Sequence, residues 1–333
     1  TVREWSNLIK NRYVTNSPWN IDGSLIHLRS FEPLLRYQLM LDGTTHQPEF
    51  IANIPSNSFR WSQDPARPTI QYGLVQNGIE DDIIVEYDVT TGVEVQRITL
   101  PFNKLVSGKE TIAFVGGKQY IALLGTPTSA GETEPDISVH VVNLDYNVGS
   151  EQPVVASYVL TESTCGHYDA DLCSSISTNS LRYSPDGLRI LVQYYGATQS
   201  SPSWRLLDVD LGTPGISPHA LTTAAAPSFG DPLKGHFRVR WGHPVFTYAA
   251  NGSDVYIVGS SGNWRGSVIA EVETHDAEGK VGGVLAYNIN TDTYRSLTTP
   301  TDEADFAHVT GTNLGNPGYV FVTYAGRSDS GTR

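Results

Sequence analysis

One tight turn recurs along this chain and constrains the fold more than anything else in it. Trp19-Asn20-Ile21-Asp22-Gly23, Tyr183-Ser184-Pro185-Asp186-Gly187 and Tyr248-Ala249-Ala250-Asn251-Gly252 each set an aromatic residue, two spacers and then Asp or Asn before glycine; Trp61-Ser62-Gln63-Asp64-Pro65 is a variant. Such a segment forms a β-turn, because glycine tolerates φ > 0 and Asp or Asn can hydrogen-bond the backbone beyond it. Short β-runs with Val, Ile, Leu or Tyr at alternate positions surround the turns, as at Ile83–Val89 and Ile137–Leu144. A second turn closes the outer hairpins, as at Asp88-Val89-Thr90-Thr91-Gly92 and Asn288-Ile289-Asn290-Thr291-Asp292. The strands before it end in Tyr-Asp or Leu-Asp, at Tyr87-Asp88, Leu144-Asp145 and Leu207-Asp208.

From Trp19 to Trp61 is 42 residues, and from Gly187 to Gly252 is 65. Units of that size with about four strands each are the mark of a β-propeller. A β-helix repeats at ~20–30 residues per coil, and a sandwich has no reason to repeat this turn. The expected fold is therefore all-β, one propeller domain over residues 1–333 with six or seven blades. The blades fall near 13–54, 57–100, 103–160, 177–222, 236–299 and a partial 305–333. Val2 to Ile9 is the one stretch that reads as a short helix. Inserts break the pattern at Thr126–Pro135, Thr161–Ser175, Thr222–Gly235 and Gly259–Gly282.

Composition narrows the partners. Hydrophobic residues make up 39%, enough to bury a large core, and no apolar run approaches the ~18 residues of a membrane helix. With 22 basic against 35 acidic residues the net charge is −13, which repels phosphate backbones and argues against nucleic acid. Cys165 and Cys173 bracket seven residues, CGHYDADLC in full. They read as a disulfide-closed loop, with reduced thiols or a zinc site including His167 as alternatives. A disulfide, together with the Asn251-Gly252-Ser253 sequon, fits a secreted protein whose signal peptide is not in this chain. The P-loop, the nucleophile elbow and the H-E-x-x-H metal helix are absent, which excludes the enzymes that carry those signatures.

Three stretches together resemble secreted propellers related to polysaccharide lyases, of the ulvan lyase and oligogalacturonate lyase type. They are Trp19-Asn20-Ile21-Asp22-Gly23-Ser24-Leu25, Leu41-Asp42-Gly43 and Phe59-Arg60-Trp61-Ser62-Gln63-Asp64-Pro65. Gly242-His243 with Ala250–Tyr256, and His308-Val309-Thr310-Gly311 with Asn316-Pro317-Gly318-Tyr319, extend the resemblance over residues 13–324. It implies a propeller that cleaves uronate-containing glycans by β-elimination, with an acidic polysaccharide or oligosaccharide as partner. Such propellers continue for another blade and a half. Closure here is expected from the N-terminal strand, a missing segment or a partner chain.

A β-elimination on a uronate needs its carboxylate neutralised, a base for the C5 proton and an acid for the leaving oxygen. Arginine suits the first role; histidine and tyrosine suit the others. Innermost-strand candidates are Asn16, Arg60, Glu110, Asn179, Arg182, Arg238, Arg240, His243 and His308. The densest cluster is Gly235-His236-Phe237-Arg238-Val239-Arg240-Trp241-Gly242-His243. In a strand Arg238 and Arg240 share a face, and His243 falls opposite unless Gly242 breaks the register. The catalytic set is read as His243, its expected neighbour His308, Arg240 and Tyr168. Arg60, Arg182, Arg238 and His167 are read as substrate contacts. His243 has a metal-ligand or an interblade hydrogen-bonding role as its alternatives. His27, His140 and His219 read as structural. Calcium at Asp169 and Asp171, or at Asp302, Glu303 and Asp305, competes with solvated acidic loops. The alternative to an enzyme is a non-catalytic propeller serving as a binding or assembly platform.

Overall fold

The structure, a computed structural model, describes residues 9–10, 18–30, 38–52, 59–75, 83–101, 104–105, 112–126, 137–147, 149, 152–160, 181–194, 203–219, 236–237, 242–248, 254–261, 283–291, 293–296, 304–309 and 322–326. All are strand, turn or irregular; no helix occurs among the described residues. The first sheet runs β1 (Ile9–Lys10), β2 (Leu25–Ser30), β3 (Gln38–Asp42), β4 (Pro48–Ala52). The second runs β5 (Phe59–Trp61), β6 (Ile70–Val75), β7 (Ile83–Asp88), β8 (Val93–Thr99). In the third, β9 (Lys104–Leu105) and β10 (Ile112–Val115) both pair with β11 (Lys118–Thr126), followed by β12 (Ile137–Asn143) and β13 (Val154–Leu160).

The fourth sheet runs β14 (Leu181–Tyr183), β15 (Arg189–Tyr194), β16 (Ser203–Asp210), β17 (Gly215–Pro218), with β18 (His236–Phe237) also on β16. The fifth runs β19 (Gly242–Tyr248), β20 (Val255–Ser261), β21 (Gly283–Asn288), β22 (Thr293–Ser296), and a sixth pairs β23 (Ala304–Val309) with β24 (Val322–Gly326). Apart from β9 and β18, each is an antiparallel meander in chain order.

Alternation along the strands explains the stacking. In β6 and β7, Ile70, Tyr72, Leu74 and Ile84 pack with Ile121, Leu123 and Val142 of the third sheet. The opposite parity, Ile83, Val85 and Tyr87, packs with Leu25 and Met40 of the first. Ala122, Leu124, Val139 and Val141 of the third sheet meet Leu181, Tyr183, Ile190 and Val192 of the fourth. Four-stranded meanders packed face to face in chain order are the β-propeller arrangement.

The recurring turn is one structure. Asn20, Ser62 and Ser184 donate their backbone N–H to the carbonyls of Leu25, Ile70 and Arg189. Asp22, Asp64 and Asp186 accept from the N–H two residues on, at Ser24, Ala66 and Leu188. The second turn follows one rule as well. Asp42, Asp88, Asp210 and Asn288 each end a third strand and accept from Thr44 and Thr45, Thr90, Gly212 and Thr213, and Asn290 and Thr291. The backbone N–H of Thr45, first among its donors, holds the Asp42 carboxyl below its ordinary value.

Three expectations change. Ile9, the end of the expected N-terminal helix, lies in strand β1, where Ile9 and Lys10 pair with Ser30 and Arg29; residues 1–8 lie outside the described residues. The described part of that segment thus belongs to the first sheet, and among the described residues no pairing joins it to β23 or β24. Leu144-Asp145 falls just beyond β12, while Leu207-Asp208 falls inside β16, whose turn waits for Asp210. The third sheet, for which the sequence offered no aromatic turn, uses a two-residue hairpin loop at Gly116 and Gly117, at φ 60° and 77°.

Two glycines separate strain from crowding. A Cβ on Gly43 would lie 1.8 Å from the Gly23 carbonyl oxygen, whereas Gly92, at φ 68°, has open space around it. Gly92→Ala is expected to cost ~1–2 kcal/mol from its left-handed backbone alone. Gly43→Ala should cost more, because backbone must move, and thermal unfolding of the two variants checks the order.

Candidate functional site

In a four-stranded meander the first-to-second and third-to-fourth connections share one end, and all other connections share the other. The described connections at the first end include the tight turns 21–24, 43–47, 62–69, 89–92, 116–117, 184–188 and 211–214. Contacts between neighbours show that these turn ends lie together. Asn20 Nδ2 donates to the Pro68 carbonyl at 3.1 Å, Arg67 reaches Asp145 at 2.8 Å, and Gly187 lies against Val115. The strand ends flanking 127–136, 161–180 and 262–282 all belong to the opposite end, called here the insert end. Among the first strands of successive sheets, β14 contacts β19 and β19 contacts β23.

Arg60, Arg182, His243 and His308 lie on the first strands β5, β14, β19 and β23. They do not lie at one level. Arg60 and Arg182 directly precede the aromatic of the turn, at the turn end. Their side chains are enclosed: Arg60 is 7% exposed and Arg182 1%. Arg182 sits between Leu181 and Tyr183, which face the third sheet, so alternation turns it away from them, and its Nη1 donates to the Leu181 carbonyl at 2.7 Å.

His243 is the second residue of β19, at the insert end, and His308 is the fifth residue of β23. The β19 register breaks here: Gly242 pairs with Ser260 and Val245 with Val258, so His243 and Pro244 form a bulge. Proline, without an N–H to give the ladder, is at home in a bulge, and a bulge re-aims the side chains within it. The shift falls after Gly242, and the parity of His243 relative to Arg238 and Arg240 lies outside the described residues. Arg238 and Arg240 fall between β18 and β19; they lie outside the described residues, as do Cys165, His167, Tyr168 and Cys173. Among the described residues no group of three His, Cys, Asp or Glu side chains could hold a metal ion.

The polar clusters that are described tie sheets together. Arg67 hydrogen-bonds Glu86 and, at 2.8 Å, Asp145, and lies over the Tyr72 ring at 6.0 Å from its centre. Gln119 donates to Tyr72 Oη at 2.9 Å and accepts from the Ser62 hydroxyl at 2.9 Å and the Gln63 N–H at 2.8 Å. Burial first, then the Glu86 charge, pushes the Tyr72 phenol up. Two histidines read as structural from the sequence have partners that only the sheets supply. His219 Nδ1 lies 2.8 and 2.9 Å from the Asp208 carboxylate oxygens, and His140 Nδ1 lies 2.7 Å from the Ser157 hydroxyl. Strand register, which a single sequence does not carry, brings His140 opposite Ser157. Burial pushes the His140 imidazole down to about 4.

No protein-family model matches the chain, and no curated protein does. Solved structures do. An oligogalacturonate lyase in complex with manganese is 13% identical over 92% of this chain and 70% of its own, with a TM-score of 0.47. The Cps50 (Swd1) β-propeller domain of Myceliophteria thermophila is 13% identical over 97% and 96%, TM-score 0.41. Hydrazine synthase of Kuenenia stuttgartiensis is 14% identical over 93% and 82%, TM-score 0.45. These are likenesses of fold between unlike proteins, and none carries chemistry to this chain.

Two predictions follow from the buried polar groups. Arg67→Ala leaves the Glu86 side chain, 2% exposed, without its cation and should cost ~3–5 kcal/mol in chemical denaturation. His140 is neutral in the fold down to about pH 4 while the unfolded imidazole protonates near 6.5. The folded chain therefore binds fewer protons between those values, and stability falls as pH drops through that window, by roughly 3 kcal/mol at most. His140→Asn should flatten this part of the stability–pH curve.

Proposed function

We propose that the chain is a secreted, carbohydrate-active propeller that takes uronate-containing glycans at the insert end and cleaves them by β-elimination. One observation supports the site more than any other: a bulge holds His243 at the insert end of a first strand, directly after the Arg238–Arg240 segment. The six sheets are read as the blades of its ring. In this reading Arg238 and Arg240 grip and neutralise the uronate carboxylate, which acidifies the C5 proton. His243 takes that proton, the C4–C5 double bond forms, and the C4–O bond breaks as Tyr168 returns a proton to the leaving oxygen. His167 precedes Tyr168 in the sequence between β13 and β14, whose flanking strand ends belong to the insert end.

A second reading is a binding or assembly platform without catalysis. It is favoured by the burial of Arg60 and Arg182, which leaves two expected carboxylate contacts enclosed by protein.

Incubation with ulvan, pectin and other uronate glycans, followed by ultraviolet absorbance of the unsaturated product, decides between them. His243→Ala is expected to lower kcat at least ~10²-fold and Arg240→Ala to raise KM, with the fold of both variants checked by circular dichroism. No absorbance gain on any of these substrates overturns the lyase reading, and glycan binding without turnover would favour the platform.

A further inference from the structure

The outer edge of β16 is covered by the chain in two pieces. β17 fills the rungs of Asp210 to Leu207 with Gly215 to Pro218, and β18 fills those of Arg205 and Trp204 with His236 and Phe237. One rung lies between them, where the backbone N–H of His219 donates to the Leu206 carbonyl at 3.1 Å. The chain therefore leaves this edge after His219 and is back on the next rung at His236; residues 220–235 lie outside the described residues.

The rung of departure depends on one residue. Pro218 has no N–H to give the ladder, so without His219 the next donor back along this edge is Ser217. Leu206 is buried, and a carbonyl there that loses its donor is costly. The side chain of His219 adds a second fastening to the same strand. Its Nδ1 lies 2.8 and 2.9 Å from the two carboxylate oxygens of Asp208, two residues from Leu206 and so on the same face of β16. Asp208 is held in place from β15, where Arg189 stands opposite it with Nε 3.8 Å away and Nη1 3.5 Å from Asp186. A bond to a carboxylate is charge-assisted, and register fixes this acceptor in advance.

Beyond this rung stands β18, only two residues long, and Arg238 follows it directly in the sequence. A strand that short opens easily by itself, and the free chain before it is shortest when His219 stays on its rung. We propose that His219, through its bond to Asp208, is a positioning residue of the Arg238–Arg240 segment: it fixes the rung beside β18, and β18 sets the point from which that segment starts. This rests on the reading of Arg238 and Arg240 as the grip on a uronate carboxylate. His219 makes and breaks no bond in the elimination; it acts through the register of β18.

The first arm of the test needs no substrate. Backbone hydrogen exchange of the full-length chain is followed by mass spectrometry at peptides covering 203–210 and 236–237, with 181–194 as the control. His219→Ala is expected to speed exchange about tenfold at the first two and to leave the control unchanged. Asp208→Asn should act in the same direction and by less. His219→Asn, whose amide keeps a donor for Asp208, should restore the slow exchange. If the substrates above are turned over, His219→Ala raises KM several-fold with kcat unchanged, and His219→Asn brings KM back. Unchanged exchange at 236–237, acceleration shared equally by 181–194, or no recovery in His219→Asn overturns the proposal, as does a fall in kcat at constant KM. Should His219→Ala not fold, Asp208→Asn carries the same comparison. A chain that cleaves no uronate glycan yet shows this exchange pattern keeps the placement of the segment by His219 and overturns the lyase.

Discussion

Tyr72, Leu74, Ile84 and Ile98 fill one face of the second sheet while Trp61, Val85 and Tyr87 fill the other, and each face is covered by the neighbouring sheet. Burial of both faces at once is the constraint on which the rest of the molecule depends. A sheet covered on both sides has no free face for a site, so functional groups are driven to the ends of the strands. It also lets a third strand be apolar at both parities, which is why β7 is buried through five consecutive residues, Ile83 to Tyr87, while the outermost β8 stays mostly exposed. The one charge within that run, Glu86, is kept because Arg67 reaches it from the turn of its own sheet. Arg67 also holds Asp145 of the third sheet, so one guanidinium ties two sheets at the turn end.

The two ends of the strands then have different work. At the turn end, side-chain carboxylates and amides spend their acceptors on the backbone N–H groups of their own loops, and Asp22, Asp42, Asp64, Asp88, Asp186 and Asp210 are occupied in this way. The strand ends that flank the inserts are the opposite ones, so variable chain length can be spent there without disturbing the turns. His243 lies at that end, held in a bulge that the proline after it tolerates.

Much of this was legible before any coordinates. The aromatic turn announced Asn20, Ser62 and Ser184 as equivalent positions, and all three make the same backbone hydrogen bond. Local chemistry suffices there, because each turn is closed within about eight residues. What was not legible involves distance along the chain. Nothing near His219 signals Asp208 as its partner, 11 residues away, and nothing near Gln119 signals Ser62, 57 away. Arg60 and Arg182 looked like ligands because arginine before a turn is polar and accessible in isolation; packing encloses them.

The sequence by itself determined the strand content, the turns and the repeat, since these follow from alternation and from the backbone freedom of Asp-Gly and Asn-Gly pairs. Only the tertiary structure decided which residues share an end. That depends on the sense in which each strand runs and on bulges, and a single inserted residue in β19 or β23 reverses the side a later residue faces. His243, second in β19, and His308, fifth of six in β23, fall toward opposite ends of their strands, although the sequence pattern sets them in equivalent strands of adjacent blades.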